Sequence, residues 1–157
     1  MSFQEKNIAV SLGSFTLILG IYLIRLSQLL HNDGLEPTSV FRLWGTVIVL
    51  VIVFTIFATI MTHIISTIIE AIVQAIKTGE KEPHIELDKT EDERDRLIDL
   101  RGTKATYTVS SIGVGLSMLT YVLGQPPLVM FTLLIFFAIV SQIIGDISRL
   151  ILYRRGF

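Results

Sequence analysis

Three stretches of this chain carry no Lys, Arg, Asp or Glu: residues 7–24, 43–69 and 105–145. An α-helix needs roughly 20 predominantly apolar residues to cross the hydrocarbon core of a bilayer. Within lipid the backbone polar groups must be satisfied inside the segment, so a helix is the form such stretches take. The first stretch supplies one span, about 8–30, if Arg25 snorkels at a boundary. The second supplies a span over about 43–66. The third is too long for one crossing, and Gly124-Gln125-Pro126-Pro127 divides it. Two prolines remove two backbone donors and disfavour helix before them, so a tight turn joins spans at 105–123 and 128–150. The expected fold is therefore an all-α integral membrane protein: a single four-helix transmembrane domain over 1–157, built as a four-helix bundle.

Composition agrees. Of 157 residues 51% are hydrophobic and only 17% charged, against about 25% charged in soluble domains, and the mean hydropathy is +0.66. The net charge of −1, from 13 basic and 14 acidic residues, describes neither a basic nucleic-acid binder nor an acidic tail. No cysteine is present, which excludes disulfide frameworks, thiolate metal sites, cysteine nucleophiles and quinone-linked thiol oxidases. The first apolar run is longer than a signal-peptide core of roughly 7–15 residues, and no small-x-small cleavage site follows it. It reads as a retained span.

Orientation follows from the basic residues. With four spans, the N-terminus, the 77–104 loop and the C-terminus share one side. That side holds Lys6, seven basic residues of the loop, Arg149, Arg154 and Arg155, while the other holds Arg25 and Arg42. The positive-inside rule places the termini and the loop in the cytoplasm. Trp44 and Tyr121 then fall at the outer interface, Tyr107 and Tyr153 at the inner one, as an aromatic belt would have them.

Small and hydroxyl residues repeat at helical spacing: Ala9, Gly13, Thr16, Gly20 and Ser27; Thr55, Thr59, Thr62, Ser66, Glu70 and Gln74; Thr106, Ser110, Gly113, Ser117, Thr120 and Gly124. In lipid such residues let helix backbones approach closely. These stripes are expected to face other helices, within the bundle or in a homo-oligomer, with bulky residues facing lipid. Ser11-Leu12-Gly13 echoes Ser111-Ile112-Gly113, and 62–66 echoes 141–145, although the offsets differ. The second echo sets Glu70 opposite Arg149, which suggests a polar pair at the cytoplasmic boundary.

At about 1.5 Å per residue, His63 reaches the inner interface and Glu70 lies beyond it. Asp146 and Arg149 sit at or just past the same boundary, leaving no acid in the centre of any span. Proton- or ion-coupled transporters usually hold acids within the bilayer, and small multidrug transporters depend on a Glu in the first helix, where this chain has none after Glu5. His31, Asp33 and Glu36 make an ordinary polar outer loop that could hold at most a weak cation. No P-loop, nucleophile elbow or HExxH occurs. The sequence thus offers no catalytic residue, no cofactor site and no metal site, and predicts a protein that is not an enzyme.

The 77–104 segment holds seven basic and nine acidic residues. Gly79 and Pro83 end the preceding helix. Thr90 and Glu93 fit a capping box, acids crowd the first turn and bases follow, which suits the helix dipole. A helix starting near 91 is expected to run through Gly102 into the third span as a cytoplasmic stem. Arg94, Arg96, Leu97, Ile98 and Arg101 are its candidate partner-binding residues. The run 92–101, Asp-Glu-Arg-Asp-Arg-Leu-Ile-Asp-Leu-Arg, resembles the D-E-R-x-x-x-I stem of a family of small uncharacterised prokaryotic membrane proteins, with the likeness covering roughly 90–150; Gly102 stands where such stems carry Ala. The resemblance implies a four-span protein of a bacterial or archaeal inner membrane and, by analogy with genes that accompany small helix-turn-helix regulators, a regulatory role. Two functions follow as expectations: a non-enzymatic regulatory or interaction protein that meets a soluble cytoplasmic partner through 77–104, or a small oligomeric transporter or channel for an ion or amphiphile, with its path along the hydroxyl stripes. The lipid bilayer is the common partner, and nucleic acid is not.

Overall fold

The computed structural model describes residues 3–32, 36–77 and 93–155. They form four helices: α1 (Phe3–Asn32), α2 (Pro37–Lys77), α3 (Glu93–Val122) and α4 (Pro127–Arg155). Three segments are long and apolar enough to cross a membrane, Asn7–His31, Pro37–Met61 and Pro127–Arg155. α3 is not among them. Its uncharged part, 105–122, is diluted by Ser, Thr, Gly and Tyr, and its first three turns are strongly charged. It is nevertheless one unbroken helix from Glu93 through Gly102 to Val122. Asp33 and the capping-box residue Thr90 fall outside the described residues.

The helices do not close into a ring. Among the described residues α4 packs against all three other helices, α1 also packs on α2, and α3 packs on α4 alone. The bundle expected from sequence is therefore an open row, α2–α1–α4–α3, with α2 brought only lightly against α4. The tightest seam is α3–α4. Their turn is closed by Gly124, whose φ of +83° is the left-handed conformation that glycine adopts without a Cβ penalty. Gln125 N–H bonds back to the Thr120 carbonyl at 3.1 Å, and α4 begins on Pro127, whose missing N–H is no loss at a helix start. Along the seam a Cβ on Gly113 would strike Phe137, one on Gly145 would strike Thr106, and one on Gly102 would strike the Arg149 side chain. Ser117 is buried and donates to the Gly113 carbonyl at 2.7 Å. The small-residue stripe of α3 is thus a packing face, as its spacing predicts.

The α1 stripe is not. Gly13, Thr16 and Ser27 are exposed, and Cβ atoms at Gly13 and Gly20 would meet open space. α1 packs instead through Ile18, Tyr22 and Leu29, in a core shared with Leu43 and Val47 of α2 and Ile139 of α4. Large side chains fill the gap between these helices, so close backbone approach is not needed. The fully buried Tyr22 donates its hydroxyl to the Thr132 carbonyl at 2.8 Å, which satisfies its one polar group. On α2, Trp44 lies edge-on to Phe41 and against Phe131, with ring centroids 5.1 and 5.4 Å away. Beyond Val47 the outer face of α2 exposes Ile48, Ile52, Ile56 and Ile60, which suits a lipid-facing surface.

Candidate functional site

The charged ends of α1, α3 and α4 meet around Arg149. Its Nε donates to Asp99 and one terminal nitrogen to Asp146, both at 2.9 Å, and the other terminal nitrogen donates to the Thr103 hydroxyl at 2.9 Å. The guanidinium fork thereby ties the first turns of α3 to α4. Its stem lies across Gly102, a place no larger residue could share without displacing it. Gly102 is where the arginine crosses the helix.

Asp146 is the deepest charge, 2% exposed. One carboxylate oxygen accepts from the Ser11 hydroxyl at 2.7 Å, and the other from Arg149 and, at 3.5 Å, from the Gln142 amide. Burying a carboxylate is costly unless it is paired and hydrogen-bonded, and here donors from two helices serve it. The Asp99 side chain is 70% exposed, so its pair with Arg149 is screened and adds little. The Asp146 pair is largely buried, its side chains 15% and 3% exposed, and governs the cluster. Spacing along α4 placed Asp146 at the membrane edge; what it could not give is that α1 presents Ser11 to the same point, which takes the acid inside the protein.

The cluster forms one wall of a cavity of about 880 Å³. α1 contributes Ser11, Ser14 and Phe15, and α2 contributes Phe54, Thr55 and Thr59. Asp95, Asp99, Ile98 and Tyr153 line its charged end, and Asp146, Gln142 and Arg149 line its side. Tyr153 hydrogen-bonds to Asp95. The hydroxyl groups lean back on their own helices: Ser14 donates to the Val10 carbonyl at 2.9 Å, Thr55 to Val51 at 2.7 Å and Thr59 to Thr55 at 2.9 Å. No known protein family matches this chain, and neither does any curated protein or any solved structure.

The candidate partner-binding residues separate. Arg94, Arg96, Leu97 and Arg101 lie on the exposed side of α3. Ile98 is 2% exposed and belongs to the inside, at the wall of the cavity. Of the suggested polar pair, Arg149 is the hub just described; Glu70 lies on α2, and its side chain, like that of His63, falls outside the described residues. Of the hydroxyl path, Thr55 and Thr59 reach the cavity, whereas Ser117 is sealed in the α3–α4 seam. Sequence reading missed Ser11 and Asp146. The signal for Asp146 was the lone acid among the apolar residues of α4.

Proposed function

We propose that this chain is a multi-pass membrane protein that receives a small solute in the cavity between α1, α2 and α4, as a transporter or solute-binding protein. All four helices span the bilayer, and the termini, the stem and the cavity mouth face the cytoplasm of a prokaryotic cell. The observation that carries the reading is the buried Asp146 in a polar wall within an otherwise apolar helix assembly. An ionisable group held inside a membrane protein is costly, and such groups mark substrate or ion pathways. The volume of about 880 Å³ is within the usual range of small-molecule sites.

The natural absence of cysteine makes a clean test. A single cysteine at Thr59 should react with a membrane-impermeant maleimide added to the cytoplasmic face of inverted vesicles. One at Gly45, which lies near the opposite end of α2, should not react from that face. A Thr59→Cys variant inert from both faces would mean a closed, dry interior and would remove the reading.

A second reading, a regulatory protein that docks a soluble partner on the stem, is favoured by the side chains of Leu97 and Leu100, 50% and 57% exposed, among Arg94, Arg96 and Arg101. The stem is also coupled to the cavity wall through Asp99 and Arg149, so the two roles are compatible. A photocrosslinker at Leu97 should give one discrete soluble-protein adduct, lost on Arg101→Glu. Adducts with lipid alone would count against docking.

A further inference from the structure

We infer that the cavity takes an organic cation with an apolar body. This rests on the solute-binding reading above and adds the ligand's charge and shape.

Three observations converge. The first is formal charge. Among the described residues the lining holds Asp95, Asp99 and Asp146 against one cation, Arg149, and that cation is already engaged by Asp99, Asp146 and Thr103. Among the described lining residues the formal balance is thus two negative charges.

The second is the supply of hydrogen-bond donors. A serine or threonine hydroxyl has one O–H to give and lone pairs to accept with. Ser14, Thr55 and Thr59 donate theirs to backbone carbonyls, Ser11 donates to Asp146, and Tyr153 hydrogen-bonds to Asp95. What these five side chains can still offer a guest is acceptor oxygen. A phosphate, sulfate or carboxylate would find its donors only in the Asn7 and Gln142 amides and the remaining Arg149 N–H groups, beside three carboxylates.

The third is the apolar half. Phe15 and Phe54, with Val51 and Ala58, supply apolar wall. Aromatic faces attract cations and suit the alkyl or aryl groups of a large ammonium or phosphonium ion. A bare metal ion fits less well: among the described residues no three His, Asp or Glu side chains are grouped as a metal site requires. The predicted pose sets the positive centre near Asp95 and Asp99 and the apolar groups against Phe15 and Phe54.

An isosteric pair of probes isolates the charge. Tetraphenylphosphonium and tetraphenylborate have nearly the same size and shape and opposite charge. The full-length protein in a neutral detergent is titrated with each by equilibrium dialysis and by thermal shift. Tetraphenylphosphonium should bind and raise the unfolding temperature, and tetraphenylborate should do neither. Asp95→Asn, at the rim and outside the Arg149 cluster, should weaken phosphonium binding roughly tenfold, as the loss of one nearby charge implies. Ala58→Trp, which fills the apolar half, should abolish it while the protein stays folded by circular dichroism.

If borate binds and phosphonium does not, the cavity is a solute site of the opposite charge; the cation inference is overturned and the solute-binding reading survives. If neither binds and Thr59→Cys is also inert, both fall. Binding of both probes that is insensitive to Ala58→Trp is partition into the micelle and overturns the inference. Nanodiscs containing a quaternary-ammonium lipid separate two sources of the same chemistry: displacement of the probe assigns the site to a membrane-borne ammonium, retention assigns it to a soluble one, and both keep the class.

Discussion

Leucine at Gly145 should destabilise the protein by about 3 kcal/mol, while leucine at Gly13 should leave it within about 0.5 kcal/mol of the parent. Both glycines lie in apolar helices, and only Gly13 stands in a small-residue stripe, so sequence alone ranks Gly13 as the packing glycine. Their surroundings differ. A Cβ at Gly145 would run into the Thr106 hydroxyl and sit 3.2 Å from the Gly102 carbonyl oxygen, whereas one at Gly13 would meet nothing within 4 Å. Thr106 could rotate, but the carbonyl belongs to the α3 backbone and can yield only if the seam opens. At Gly13 the added side chain would enter lipid, and helix propensity would improve. Reversible unfolding in a mild detergent mixture measures both. Equal stability of the Gly145→Leu protein would show that the α3–α4 seam is not the one described.

The second large effect concerns the buried ion pair. Arg149→Met removes the charged partner of Asp146 but leaves Ser11 and Gln142 as donors. A buried charge stripped of its partner costs about 3–5 kcal/mol, and the same change also releases Thr103 and Asp99 from α4. Replacing both members, Asp146→Leu with Arg149→Met, should recover most of that loss, because the buried site then holds no unpaired charge. Asp99→Ala, which removes the exposed partner, should cost at most about 1 kcal/mol. The same unfolding assay ranks the variants. If the double variant is no more stable than Arg149→Met, the stranded charge of Asp146 is not what weakens the single variant, and the lost hydrogen bonds to α3 are.

What the sequence revealed, and what it hid, divides along a physical line. The helices were legible because the absence of charge over a membrane's thickness is a property of the chain itself. The Pro126-Pro127 turn and the continuation of the stem into α3 were legible for the same reason, since backbone donors and caps act locally. The α3 stripe was read correctly because Thr106, Gly113 and Ser117 pack against a helix joined to it by a short turn. The α1 stripe misled, because spacing shows which residues share a face and not which face meets a neighbour. That choice was made by Ile18 and Tyr22, whose bulk lets them bridge to α2 and α4. The site was hidden for a related reason. Asp146 and Ser11 are 135 positions apart, and nothing in the periodicity of α1 or α4 brings them together. Ile98 looked like a partner-binding residue beside Leu97, and one step around the helix turned it inward.

The open row of helices has a mechanical meaning. Because among the described residues α3 packs on α4 alone, and α2 rests on α1 with a light contact to α4, the outer helices communicate through the central pair and not by packing on each other. α2 can hinge away from α1 without disturbing the glycine seam, so the assembly has one stiff half and one yielding half. The cavity lies where the two halves meet. A displacement of α2 changes its width, and a displacement of α3 moves Asp95, Ile98 and Asp99 at its charged end and pulls on the α4 arginine.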